Sequence, residues 1–122
     1  MRPGADYWDY LDRLVAESGI VIDRAKGTSH PRYPDMVYPT DYGYLEGTRS
    51  MDGAGIDVFA GTGEAEAIQG ILCVIDMNKM DSEIKVLYRC SEDEIGTVLR
   101  FMNGSRFMKA LLVRAPSDRN GG

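Results

Sequence analysis

A chain of 122 residues has room for one domain and one core, so no separate substrate domain is expected. With 43% hydrophobic and 27% charged residues it has the composition of a soluble globular protein, and no apolar run approaches the roughly 20 residues that cross a bilayer. A net charge of −5 argues against the broad basic footprint of a nucleic-acid binder, yet admits a phosphate ligand bridged by a metal cation, which reverses the local electrostatics.

Near the N-terminus, Trp8, Leu11 and Val15 fall at i, i+3 and i+7, with Asp9, Asp12 and Arg13 on the other side. This predicts an amphipathic helix over residues 5–17, with Trp8 in the core. The same stretch has acids among its apolar residues and no apolar h-region, so it does not read as a secretory signal, and a cytoplasmic protein is expected. Ser18-Gly19 ends the helix, and Ile20-Val21-Ile22 follows as a short buried strand. Residues 23–35 gather Arg24, Lys26, His30 and Arg32 where Gly27, Pro31 and Pro34 forbid helix. This cationic loop is either a solvated connection or a phosphate-facing one. His30 has no second histidine or cysteine nearby and is not expected to bind metal.

Residues 36–45 read as a strand whose aromatic side chains alternate sides, and residues 56–60 as a second strand. Between them, Asp52-Gly53-Ala54-Gly55-Ile56-Asp57 forms a glycine-loosened acidic turn. A continuous apolar strand spans residues 70–76. After a turn at residues 77–81, Ile84, Val86 and Tyr88 alternate with Glu83, Lys85 and Leu87, the period of a half-buried strand. Ser91 and Glu94 make a capping box for a helix to about Met102, with Ile95, Val98, Leu99 and Met102 on one face, and Asn103-Gly104 stops it. A last strand covers residues 107–113. Cys73 and Cys90 lack metal-type spacing and read as buried free thiols. The expected architecture is mainly β with two helices, α+β, folded as one domain over residues 1–115 with a frayed tail at 116–122.

The order of the central motifs, YPTDYGYL from Tyr38 and then DGAGID from Asp52, resembles family I soluble inorganic pyrophosphatases. Those proteins carry YPxNYGY followed by DGDPxD at about this separation. The resemblance covers roughly the central half of the chain, which is shorter than typical members. It implies a small five-stranded barrel of the oligonucleotide-binding type and magnesium-dependent hydrolysis of pyrophosphate or a related small phosphoanhydride. It further implies metal binding by Asp52, Asp57 and Glu83, a catalytic part for Asp57 and Lys85, and phosphate contacts from Tyr38, Tyr42, Lys85, Arg32 and Arg106. The upstream arginine of the family has no exact counterpart here, and Arg32, His30 and Arg24 all lie within reach of its role. Asp81 alone can replace a shortened acid pair, and Asp41, Glu46 and Asp76 are further acids near the site.

Ala54 stands where the family has its metal-bridging general base, so turnover is expected to be weak. A methyl group neither accepts a proton nor binds magnesium. The alternative is a catalytically inactive module of the same fold that binds a phosphate compound or associates with itself. For Asp52 and Asp57 the structural alternative is capping of turn amides, and for Tyr38, Tyr42 and Tyr44 it is barrel packing. Nucleic acid and membrane are not expected as partners; a homo-oligomer is, through an apolar final strand with an exposed edge.

Overall fold

The computed structural model describes residues 4–116. Six of the seven residues assigned to a tail lie outside that range. Helix α1 spans Ala5–Ser18 and helix α2 spans Glu92–Asn103. The six strands are β1 (Ile20–Arg24), β2 (Asp41–Leu45), β3 (Asp57–Ala60), β4 (Ile68–Asp76), β5 (Asp81–Tyr88) and β6 (Met108–Arg114). They form one sheet in the order β1-β2-β3-β5-β4-β6, antiparallel at every step except β3–β5, which is parallel. The α+β expectation with two helices is met. The sheet differs from a closed five-stranded barrel in having a sixth strand and in remaining open, since β1 pairs only with β2 and β6 only with β4 among the described residues.

The two helices cover opposite faces. Trp8, Leu11 and Val15 of α1 pack with Val58, Ile71 and Val86, while Ile95, Val98 and Met102 of α2 pack with Phe59, Leu72 and Leu87. Neighbouring strand residues thus feed two different cores, as the two-residue side-chain period requires. This corrects the expectation for β5, which is buried on both faces rather than half-buried, because it lies inside the sheet between β3 and β4. It also corrects β1: as an edge strand it is only partly buried, with Ile22 41% exposed.

The strand expected over residues 36–45 is shorter, since Pro39 cannot donate to a ladder. Residues 27–38 instead fold back as an irregular hairpin. Gly27 N–H donates to the Tyr38 carbonyl at 2.9 Å, Tyr38 N–H to Thr28 at 2.9 Å and His30 N–H to Met36 at 2.8 Å. The cationic loop is therefore a flap held by its own backbone hydrogen bonds. The Ser91 capping box at α2 forms with both reciprocal bonds, and the two cysteines are free, Cys90 buried and Cys73 partly so. No helix among the described residues is long and apolar enough to cross a membrane.

Candidate phosphate site

Side-chain alternation places the site. On the face that α2 covers, Phe59 is followed two residues back by Asp57, Leu87 by Lys85 and Glu83, and Val74 two residues forward by Asp76. Beyond the end of α2 the apolar core thus continues as a polar floor. A cavity of about 560 Å³ opens over it, roofed by the residue 27–38 flap and lined by Tyr38, Tyr42, Asp57, Glu83 and Lys85 among others.

At the centre lies Lys85. The parallel register of β3 and β5 sets Asp57 directly opposite it. Its ammonium donates to Asp57 Oδ2 at 2.7 Å, Glu83 Oε1 at 2.9 Å and the Tyr42 hydroxyl at 2.6 Å, with only 8% of the side chain exposed. Three partners satisfy all three ammonium hydrogens. Burial by itself pulls the Lys85 ionisation down, but Tyr42, Asp57 and Glu83 together outweigh it and hold it above its ordinary value. Burial pushes the Tyr42 phenol up, so it stays neutral and accepts from the ammonium.

One ammonium does not neutralise two carboxylates. Burial and the adjacent Asp57 hold Glu83 above its ordinary value of 4.5 despite Lys85. A carboxyl group whose folded pKa is raised stabilises the fold fully below the unfolded value and loses that contribution as pH rises through the folded one. Relative to wild type, Glu83→Gln is therefore expected to gain stability as pH rises above the ordinary carboxyl value of 4.5, read by urea unfolding at acid and neutral pH. A difference that stays flat with pH would count against the raised ionisation.

Tyr38 is buried and stacks on Tyr42 with ring centroids 5.0 Å apart, and Arg24 Nη1 donates to its hydroxyl. Of the three residues within reach of the upstream arginine's role, Arg24 is thus the one bonded to the tyrosine pair. Arg32 and His30 also line the cavity, on the flap. Burial and the charges of Arg24, Lys79 and Arg32 keep His30 below its ordinary pKa, consistent with its Nδ1 accepting from the Arg32 N–H at 3.0 Å. Tyr38, Tyr42 and Tyr44 line one cavity rather than alternating sides: Tyr42 and Tyr44 are two apart on β2, and the chain bends at Pro39 before them.

Asp52 lines the cavity but spends Oδ1 on its own turn, accepting from Ser50 Oγ at 2.6 Å and Ala54 N–H at 3.0 Å. The Ser50 hydroxyl bond, with that of Ala54, holds its carboxyl below the usual range. Asp76 likewise caps the β4–β5 turn, accepting from Asn78 and Lys79 N–H groups. Asp81 lines the cavity, whereas Arg106 is exposed and does not; Ser105 beside it does. Asp41 and Glu46 are also outside the lining. Lys79, Tyr33, Phe101 and Phe107 join the site without having been singled out in the sequence. Each sits in a turn, flap or helix end where no periodic signal marks a site.

Among the described residues no three His, Cys, Asp or Glu side chains converge in a way that would hold a metal ion. Magnesium seldom depends on such a cage; it takes one or two carboxylates, keeps several waters and completes its shell with phosphate oxygens. Asp57 and Glu83 fit that limited part: both are hard oxygen donors, partly open to the cavity and in excess of the one cation between them.

No family model and no curated protein matches the chain. Solved structures do match in fold. An inorganic pyrophosphatase from Neisseria gonorrhoeae superposes with a TM-score of 0.54 at 17% identity, covering 76% of this chain and 80% of its own. An inorganic phosphatase from Anaplasma phagocytophilum gives 0.52 at 15% identity, covering 78% and 81%. At such identities the likeness is one of fold, and the chain has an inorganic pyrophosphatase-like fold.

Proposed function

We propose that this chain binds pyrophosphate or a related small phosphoanhydride in the sheet cavity and hydrolyses it slowly with magnesium. The observation that supports this best is the Asp57–Lys85–Glu83–Tyr42 cluster on the cavity floor, with Arg24 on Tyr38 beside it. Six carboxylates against four cations, counted over the cavity lining, would repel a bare polyanion, so the ligand enters as a metal complex. Asp57 and Glu83 would hold that magnesium, which screens the phosphate oxygens. Arg24, Arg32 and Lys79 bind the phosphoryl groups from the flap and turn side, and Lys85 with Tyr42 orients the carboxylates. The slow rate follows from Ala54, which offers no base to the attacking water.

A second reading, binding without turnover, is favoured by one observation: Asp57 and Glu83 are both bonded to Lys85, and Asp52 to its own turn. Phosphate release from magnesium pyrophosphate separates the two. Hydrolysis is expected in wild type and is expected to fall at least about tenfold in Asp57→Asn. Equal release from both proteins would leave only binding, which calorimetry with magnesium pyrophosphate measures directly.

A further inference from the structure

Pyrophosphate is small and wholly polar, and the cavity is neither. Its 560 Å³ falls in the range of sites for organic ligands, roughly 300–1,000 Å³. Away from the Lys85 floor, its wall includes Tyr33, Met36, Phe101 and Phe107, whose rings and thioether find no packing partner in an inorganic anion. These side chains are half-buried and line the open space.

The rings form a continuous series that starts at the cationic end. Tyr38, bonded by Arg24, lies 6.4 Å from His30; His30 lies 5.1 Å from Tyr33; and Tyr33 lies 6.2 Å from Phe107. The neutral His30 ring is thus the hinge between a phosphate-binding end and an aromatic end. The flap supplies His30 and Tyr33, and the segment after α2 supplies Phe107, so the aromatic end is assembled from two parts of the chain. Aromatic faces and Met36 beside a cluster of cations suit a ligand with a phosphate group at one end and a planar ring at the other.

We infer that the cavity takes a nucleoside diphosphate, its phosphates on Arg24, Arg32 and Lys79 and its base against Tyr33 and Phe107. This rests on the phosphate-binding reading of the same site and adds the organic part of the ligand.

Calorimetry with three probes, each with magnesium, tests it: pyrophosphate, ribose 5-diphosphate and ADP. ADP is expected to bind about tenfold more tightly than either of the others, the size of one base–aromatic stacking contact. Phe107→Leu and Tyr33→Leu, which keep apolar bulk, are expected to erase that advantage while leaving pyrophosphate affinity in place. The comparison of ADP with ribose 5-diphosphate needs only the wild-type protein and holds whatever the variants do to folding. Three equal affinities would overturn the inference and leave the phosphate site standing. Binding of ADP without binding of pyrophosphate would support the ring site and overturn the phosphate reading. Absence of all binding would overturn both.

Discussion

Lys85→Met is expected to destabilise the protein by about 3–5 kcal/mol at neutral pH, the cost of removing one partner from a buried ionic cluster. The side chain that replaces the ammonium is of similar length and apolar, so no large cavity opens. The loss comes from what remains: Asp57 and Glu83, 25% and 18% exposed, face each other with no cation between them. Their partial exposure places the expected value at the lower end of the range. The pH dependence has a definite sign. Without Lys85 the Glu83 pKa rises further, and a raised carboxyl stabilises the fold at low pH and ceases to do so as pH rises. The variant should therefore recover much of its deficit in acid, where a protonated Glu83 donates to Asp57. In wild type the Lys85 pKa is itself raised, so its contribution is complete below about 10.5 and is lost only in stronger alkali. Urea unfolding of both proteins at acid and neutral pH provides the check. A neutral-pH loss below about 1 kcal/mol would mean the cluster behaves as an exposed pair.

Gly43→Ala is expected to cost on the order of 3 kcal/mol, at the upper end of what overpacking produces. A Cβ at Gly43 would sit 1.8 Å from the Val21 carbonyl oxygen and 2.9 Å from the Ile22 Cα. Both obstacles are backbone, so no side-chain rotation relieves the clash, and β1 has to move away from β2. Among the described residues β1 is an edge strand paired with β2 alone, so separation from β2 is the response the sheet allows. Arg24 lies at the end of β1 and would move with it, withdrawing its bond to Tyr38. Thermal unfolding should show a fall of roughly 4 °C for each kcal/mol. A melting temperature within a degree or two of wild type would mean that the two strands have more freedom than this packing allows. The glycine between Tyr42 and Tyr44 is thus explained by the close approach of β1 to β2, apart from any ligand.

The parts of this protein that were legible in its sequence are those set by neighbours along the chain. The Trp8, Leu11 and Val15 spacing, the Ser91 and Glu94 capping box and the Asn103-Gly104 stop each depend on residues within about two helical turns, and each appears where the spacing places it. Strand identity was equally readable for β3 to β6. The errors arose where burial depends on remote partners. Nothing local tells that β5 is enclosed by β3 and β4, or that β1 is left at an edge. Nor does the sequence close or open a sheet, since that depends on whether its first and last strands meet.

The candidate site divides along the same line. Residue chemistry and motif order by themselves determined an α+β fold with two helices, two tyrosines and a set of acids in the middle of the chain, and the loss of a carboxylate at Ala54. Only the tertiary structure decided which of these groups meet. Asp57 and Lys85 are 28 residues apart and become neighbours through one register of one parallel strand pair. The choice of Arg24 over Arg32 and His30 as the partner of Tyr38 follows from the hairpin that folds residues 27–38 back on themselves. Arg106 is excluded although its neighbours Ser105 and Phe107 both line the cavity. Pairing energies between distant strands and the path of a proline-interrupted flap are properties of the whole fold, and a site built across several strands and a flap inherits its geometry from them.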